Sequence, residues 1–253
     1  MNCIQNFRRL LVIAILVYKS ETSRKDPDRR FKHWLNFYRL SQTNLPIRIF
    51  TDYKSEIQTL NGYPVTSISA IPPISSSNNV LAYGDWLRAE LYDIIQQPFV
   101  YMDIDCLLLQ PIDDIIESVN TGMAMAFNAG EAVVRLTSFF AEDKYEQLNK
   151  HFNSGVMVFN RSFKEEYRKQ FQDNPNNHNR NWMIYGELIW GDINRKHGSM
   201  LDSEYNVLIS DVISNHFRPT NPKILHCHGD SVEDVLSLVR WISSSFRHSL
   251  NAN

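Results

Sequence analysis

Short apolar runs and amphipathic stretches alternate along the first part of the chain. The apolar runs are rich in β-branched and aromatic side chains, which predicts β-strands at residues 10–18, 45–52, 63–69 and 99–103. Between them, apolar side chains recur at helical spacing, which predicts α-helices at residues 28–43 and 84–97. Strands that alternate with helices are typical of an α/β fold, so we predict a mostly parallel central sheet flanked by helices.

The second half of the chain alternates less regularly. Its apolar runs predict strands at residues 123–129, 154–160 and 223–229. Its amphipathic stretches predict helices at residues 163–172, in the middle of 183–198 and at 231–246. No internal repeat is present, and we predict a single domain over residues 1–253.

The N-terminal apolar run has two interpretations. Arg8 and Arg9 before an apolar run resemble the start of a signal peptide, but no cleavage site of small residues follows. The run is also shorter than the roughly 20 apolar residues of a membrane span. A central strand buried on both faces has the same β-branched composition, and we prefer this interpretation.

Composition narrows the classes of function. The chain has 253 residues, 43% of them hydrophobic, and a net charge of −2, so we expect no nucleic-acid partner. Its cysteines, Cys3, Cys106 and Cys227, have no C-x-x-C spacing, which indicates neither a disulfide framework nor a zinc ribbon. We therefore expect a reducing, cytoplasmic location. The C-terminal amphipathic stretch suits peripheral membrane contact or, as we prefer, packing on the domain.

The strand at residues 99–103 ends in an unusual motif for an apolar run: Asp103, Ile104 and Asp105, followed by further apolar residues. Alternate residues of an extended chain share a face, so the two carboxylates converge on one point. Paired carboxylates repel unless a cation joins them, and Mg²⁺ and Mn²⁺ prefer oxygen ligands and often retain a phosphate. The motif therefore predicts a divalent cation that bridges the protein to a diphosphate; two solvated aspartates at a strand end are the alternative.

Four other stretches carry candidate chemistry. Asp85 and Arg88 lie on one helix face, where they form a plain ion pair or bind sugar hydroxyls and phosphate. Asn153, just before the apolar run 154–160, suits hydroxyl binding or a turn. Glu187 and Asp192 lie among aromatic residues, which suits sugar recognition and base catalysis, or a solvated helix face. His226 stands near a strand end, where it suits a third metal ligand.

Taken in order, these motifs resemble the glycosyltransferases of the GT-A fold, including relatives of family eight. The resemblance runs from the Asp/Arg helix through D-x-D, N-S-G-V-M-V, the acidic helix and E-Y-N-V-L to I-L-H-C-H-G. It implies a nucleotide-binding half at residues 1–110, an acceptor and catalytic half at 111–230 and a C-terminal helix at 231–253. It also implies a nucleotide-sugar donor, probably UDP-linked, a glycan or other hydroxyl acceptor, and Mn²⁺ or Mg²⁺.

The resemblance further assigns roles to individual residues. Asp103, Asp105 and His226 would bind the metal, and the D-x-D motif would also hold diphosphate and ribose. The nucleotide and donor sugar would be bound by Val17, Tyr18, Asp52, Asp85, Arg88 and Ile104. Glu187 is our first candidate for the base of an inverting reaction, and Asp192 is the second. In a retaining reaction, Asn153 and Glu187 would instead stabilise the sugar cation.

Two other classes of function use the same residues. Phosphatases of the haloacid dehalogenase type place a nucleophilic aspartate at a strand end, where Asp103 stands, but Leu107 occupies the position of their Thr or Val. A non-catalytic carbohydrate-binding module would use the D-x-D motif only to anchor Ca²⁺.

Overall fold

The computed structural model describes residues 11–17, 27–52, 58–69, 80–118, 122–127, 152–173, 185–209, 212 and 220–227. Tyr18, His228 and the helix predicted at 231–246 lie outside these residues. The described residues include four α-helices: α1 (Pro27–Leu40), α2 (Val80–Ile95), α3 (Lys164–Gln172) and α4 (Tyr185–His197). No helix among them is long and apolar enough to cross a membrane.

The main sheet contains eight strands in the order β3-β4-β2-β1-β5-β8-β7-β9. Its first-half strands are β1 (Val12–Val17), β2 (Ile47–Thr51), β3 (Thr59–Leu60), β4 (Tyr63–Ser67) and β5 (Phe99–Met102). Strand β1 lies between β2 and β5 and runs parallel to both, and β2 runs parallel to β4. The predicted parallel sheet and the interpretation of the N-terminal run as a central strand are therefore confirmed.

The second half of the sheet is mixed. It is built from β7 (Met123–Phe127), β8 (Phe152–Phe159) and β9 (Gly198–Leu201). Strand β8 is antiparallel to both β5 and β7, and β9 is parallel to β7. Strand β8 begins at Phe152, two residues before the predicted start, so the N-S-G segment is part of the strand rather than a turn before it.

A second sheet holds three short strands in the order β10-β11-β6, namely β6 (Cys106–Leu108), β10 (Val207–Leu208) and β11 (Ile224–His226). Strand β6 is antiparallel to β11, with Cys106 opposite His226. The apolar run that follows D-x-D is thus a strand of a different sheet from the run that precedes it. Neither β6 nor β10 is among the predicted strands.

Each face of the main sheet is covered by an apolar layer, and a third, smaller apolar cluster lies at the small sheet. In β1, Val12, Ala14 and Leu16 pack in the layer that contains α2, α3 and α4. Ile13, Ile15 and Val17 point to the opposite face, in the layer that contains α1. Because successive side chains of a strand point to opposite faces, a strand covered on both sides must be apolar throughout. This explains the unbroken hydrophobic run at the start of the chain.

Candidate functional site

The D-x-D motif lies in the turn that connects the two sheets. Strand β5 ends at Met102, and the backbone N–H of Cys106 donates to the carbonyl of Asp103 at 3.0 Å, which closes a tight turn before β6. The extended conformation predicted for the motif is therefore wrong. The predicted convergence nevertheless occurs, because His226 Nε2 lies 3.5 Å from Asp105 Oδ1 and 3.9 Å from Asp103 Oδ2.

Both neighbouring sheets fix this turn through the backbone. The N–H of Asp103 donates to the carbonyl of Gly155 in β8 at 2.8 Å, and the N–H of Cys227 donates to the carbonyl of Asp105 at 3.0 Å. The Asp103 and Asp105 side chains are 27% and 16% exposed, which leaves both carboxylates accessible from one side.

Arg88 connects helix α2 to the D-x-D turn. Its guanidinium is buried; Nη1 donates to the carbonyl of Ser154 at 2.9 Å, and Nη2 donates to Tyr101 Oη at 3.1 Å and to Asp103 Oδ1 at 3.2 Å. The Tyr101 hydroxyl in turn donates a short hydrogen bond to the same oxygen of Asp103. One carboxylate oxygen of Asp103 is therefore held by two donors, and the other faces His226.

Asp85 lies one helical turn before Arg88 and is only 4% exposed. Its Oδ1 lies 2.9 Å from Arg88 Nη1. Burial raises the pKa of Asp85 to about 7; the charge of Arg88 opposes this shift, while the charges of Glu187 and Asp103 add to it. The carboxylate fits only because residue 186 is glycine: a Cβ there would lie 2.0 Å from Asp85 Oδ2.

Glu187 stands in the first turn of α4 and accepts a hydrogen bond from the backbone N–H of Ser154 at 2.7 Å. Its charge acts on both Asp85 and His226, whose pKa values it raises. Asp192 lies further along α4, where its half-exposed side chain forms an ion pair with Arg195. The structure thus brings Glu187 to the carboxylate cluster and gives Asp192 a partner on the helix surface.

Asn153 turns its side chain toward His226. Between β7 and β8 the register shifts after Met125, so that Ala126 pairs with Asn153 whereas Met125 pairs with Met157. Such a bulge re-aims side chains locally. Asn153 Oδ1 lies 3.0 Å from His226 Nδ1, and the Asn206 amide also contacts both residues. Whether Asn153 also contacts a donor sugar stays a prediction.

Val17 and Asp52 lie at the same edge of the sheet as the D-x-D turn. Val17 ends β1 and pairs with Thr51, the residue before Asp52, and neighbouring strands lie about 4.8 Å apart. The Tyr83 hydroxyl donates to Asp52 Oδ2 at 2.5 Å. The carboxyl ends of β1, β2 and β5 therefore meet at one edge, which is where open α/β sheets bind ligands.

The charges of the cluster favour a cation. The cluster contains four carboxylates that interact electrostatically with one another or with Arg88 and His226. They are those of Asp85, Asp103, Asp105 and Glu187. Burial and the charge of Asp105 raise the pKa of Asp103, although Arg88, His226 and Tyr101 oppose the rise. Burial alone would lower the pKa of His226, but the hydrogen bond to Asp105 and the surrounding carboxylates raise it. Carboxylates in such excess are stabilised by added positive charge.

The donor atoms also suit a divalent metal. Asp103, Asp105 and His226 present two oxygens and one nitrogen, and the distance from His226 Nε2 to each carboxylate oxygen is one that two metal–ligand bonds of roughly 2.1 Å can span. The Cys106 sulfur lies within 4.8 Å of donor atoms of Asp105 and His226, but it donates to the carbonyl of Gly155 at 3.4 Å. Burial raises the pKa of the Cys106 thiol well above its usual range, which keeps the sulfur neutral. The oxygen and nitrogen atoms therefore form the fitting ligand set.

Some residues at the site were missed in the sequence. Tyr101 stands two positions before Asp103 in the same apolar run. Residues two apart on a strand share a face, so this spacing could have indicated that Tyr101 lies beside Asp103. Asn206 belongs to the E-Y-N-V-L stretch, but a single asparagine before a two-residue strand gives no periodic signal. Its contact with His226 spans 20 residues of sequence and arises only from the three-dimensional fold.

No protein-family model matches the chain, and no curated protein sequence matches it significantly. Solved structures do resemble it. Mouse xyloside xylosyltransferase 1 has a TM-score of 0.55 at 16% identity, over 87% of this chain and 98% of that protein. The galactosyltransferase LgtC, solved in complex with donor and acceptor sugar analogues, has a TM-score of 0.53 at 12% identity, over 87% of each chain.

The glycosyltransferase GlyE from Streptococcus pneumoniae TIGR4 has a TM-score of 0.54 at 17% identity, over 85% of this chain. The chain spans 54% of the GlyE structure, about half its length. At these identities the comparison concerns the fold. The chain has the GT-A glycosyltransferase fold, and the predicted fold class is confirmed.

Proposed function

We propose that this protein is a metal-dependent glycosyltransferase that moves a sugar from a nucleotide-sugar donor, UDP-linked, to a hydroxyl of a glycan or other acceptor. The main support for the proposal is that Asp103, Asp105 and His226 lie close together at the carboxyl edge of a GT-A sheet. Arg88 contacts Asp103 there. The donor and acceptor analogues bound to LgtC support ligands of these two classes.

In this proposal Asp103, Asp105 and His226 hold Mn²⁺ or Mg²⁺, with Ile104 at the ribose. When bound, the cation neutralises the leaving diphosphate. Arg88 fixes one oxygen of Asp103, so the carboxylate keeps its orientation whether or not the donor is present. Val17 and Asp52 line the nucleotide end of the site, and Asp85 accepts hydrogen bonds from hydroxyl groups of the sugar.

Glu187 is the residue best placed to act on the acceptor or the donor sugar. It lies close enough to Asp85 and His226 to shift the pKa values of both. In an inverting reaction Glu187 removes the acceptor proton, with Asp192 as the second candidate. In a retaining reaction Glu187 and Asn153 stabilise positive charge on the sugar.

The proposal is tested by calorimetric titration with UDP, in Mn²⁺ and then in EDTA. Wild-type protein is expected to bind UDP only with the metal, and Asp105→Asn is expected to lose that binding. Asp93→Asn is the matched control, because Asp93 is an aspartate on α2 whose side chain is 45% exposed and pairs with Lys164. A hydrolysis panel that begins with UDP-galactose and UDP-xylose then identifies the sugar.

Three outcomes would contradict the proposal. Binding of GDP or dTDP in place of UDP would correct the nucleotide. Glycan binding without any nucleotide would indicate a carbohydrate-binding module. Turnover of p-nitrophenyl phosphate that is lost in Asp103→Asn would indicate a phosphatase.

A cytoplasmic location is part of the proposal, and the buried free thiols of Cys106 and Cys227 support it.

A further inference from the structure

His226 Nδ1, the ring nitrogen that faces away from the D-x-D motif, lies between two amide groups. Asn153 Oδ1 is 3.0 Å from it, and Asn206 Oδ1 is 3.1 Å from it. All three residues are at most 4% exposed. An imidazole nitrogen in this position meets the protein's own groups, and what those groups can donate or accept determines its protonation.

Independent hydrogen bonds establish the orientation of both amides. The backbone N–H of Gly155 donates to Asn153 Oδ1 at 2.8 Å, so this atom must be the oxygen. Asn206 Nδ2 donates to the same oxygen at 2.6 Å and contacts the Asn153 carbonyl at 3.4 Å. The atom of Asn206 that faces the ring is therefore also an oxygen. Both neighbours of His226 Nδ1 can only accept a hydrogen bond.

We infer that Asn153 and Asn206 are positioning residues: they hold His226 with its hydrogen on Nδ1, so that the lone pair of Nε2 points at Asp103 and Asp105. Two acceptors stabilise an N–H and disfavour a lone pair at Nδ1. In that tautomer Nε2, 3.5 Å from Asp105 Oδ1, would offer its lone pair to a cation in place of the hydrogen bond that protonated His226 donates to Asp105, and this is the form that ligates a metal. This inference rests on the proposed metal-dependent function.

The backbone also restrains the ring. A Cβ at position 155 would lie 2.2 Å from His226 Cε1, so the imidazole packs directly on the glycine backbone. Leu208, two residues after Asn206, pairs with His226 across β10 and β11. The same short strand therefore positions both the histidine and one of the amides that orient it.

The first test determines the tautomer directly and needs no variant. Long-range ¹H–¹⁵N spectra of metal-free wild-type protein, at a pH where the imidazole is neutral, report which ring nitrogen carries the hydrogen. Comparison with His226→Gln assigns the signal. We expect the hydrogen on Nδ1. A hydrogen on Nε2 would overturn the inference.

The second test measures Mn²⁺ affinity without donor, by electron paramagnetic resonance of the free ion. Loss of a group that orients a histidine ligand typically weakens metal binding by about 10- to 100-fold. We expect this loss in Asn206→Leu and Asn153→Leu. Asn153→Asp keeps an oxygen that accepts from Gly155, Asn206 and His226, and we expect it to retain wild-type affinity or bind more tightly.

The outcomes separate this inference from the proposed function. If wild-type protein binds no Mn²⁺, the proposed function fails, and the positioning role fails with it. If wild-type protein binds Mn²⁺ and Asn206→Leu binds it equally well, only the positioning role fails. A variant that merely loses stability would lower the melting temperature without changing the ¹⁵N pattern of His226 in its folded population. That result would also contradict the inference.

Discussion

Substitution of Asp85 by asparagine should stabilise the metal-free protein at neutral and alkaline pH. The side chain is buried, and a change to Asn keeps its shape next to Gly186. Burial, opposed by Arg88, raises the pKa of Asp85 from its ordinary value of 3.8 to about 7. Ionisation of this carboxyl therefore costs more in the folded protein than in the unfolded chain.

The sign and the pH range follow from linkage. A group whose folded pKa is raised contributes stability that is complete below its unfolded pKa and is lost as pH rises to the folded pKa. For Asp85 the loss falls between about pH 4 and pH 7. The pKa difference of about 3 corresponds to roughly 4 kcal/mol, since one pKa unit is worth about 1.4 kcal/mol. Asp85→Asn should avoid this loss.

Urea denaturation of both proteins in EDTA, at intervals from pH 4 to pH 8, measures the effect. The stability of Asp85→Asn minus that of wild type should rise across this range by up to about 4 kcal/mol. Asp93→Asn is the control of opposite sign, because Lys164 and neighbouring hydrogen bonds lower the pKa of Asp93 despite partial burial. A flat difference for Asp85→Asn, or one that falls with pH, would refute the reasoning and indicate a net stabilising pair with Arg88.

Two further substitutions distinguish the site from the scaffold. Gly186→Ala should displace Asp85, since the new Cβ would lie 2.0 Å from its carboxylate, and should remove the hydrogen bonds that Asp85 makes to the sugar in the proposed function. Because a hydrogen bond to a charged group contributes about 1.5–3 kcal/mol, UDP-sugar binding should weaken at least about tenfold. Gly191→Ala on the same helix meets its nearest atom at 3.4 Å and should leave calorimetric affinity unchanged. Glu90→Gln breaks the ion pairs that the buried Glu90 of α2 makes with the partly exposed Arg168 and Lys164 of α3, and it should lower the free energy of unfolding by roughly 2 kcal/mol. Unchanged stability in Glu90→Gln, or loss of UDP binding there, would contradict this separation of roles.

The fold was largely readable in the sequence because the central strands are buried on both faces. Strand β1 must be apolar at every position, and its pattern identified it. Strands β6 and β10 are three and two residues long, too short for periodicity to reveal them. The apolar run after Asp105 is therefore absent from the predicted strands, and an extended conformation was predicted where the D-x-D motif forms a turn.

The site was readable to the extent that its residues stand near strand ends or on a helix face. Asp103, Asp105 and His226 meet because the turn after β5 leads directly into β6, whose first residue, Cys106, pairs with His226 in the antiparallel strand β11. The role of Asn206 depends on a contact between two short strands that no local pattern encodes. The need for glycine at position 186 likewise arises from the packing of α2 against α4, which sequence spacing does not specify.

The small sheet gives the candidate metal site a consequence for the lifetime of the protein. Asp103 follows a strand of the main sheet, whereas His226 belongs to β11, so a cation bound between them would add a further link between two sheets that already contact each other through His226 and Asn153. A ligand at 100 times its dissociation constant adds about 2.7 kcal/mol of stability. Strands as short as β6 and β10 have little stability of their own. Amide hydrogens of the small sheet should therefore exchange faster in metal-free than in metal-bound protein, and proteases should degrade the metal-free form first. The amount of this protein in a cell would then follow the supply of the metal.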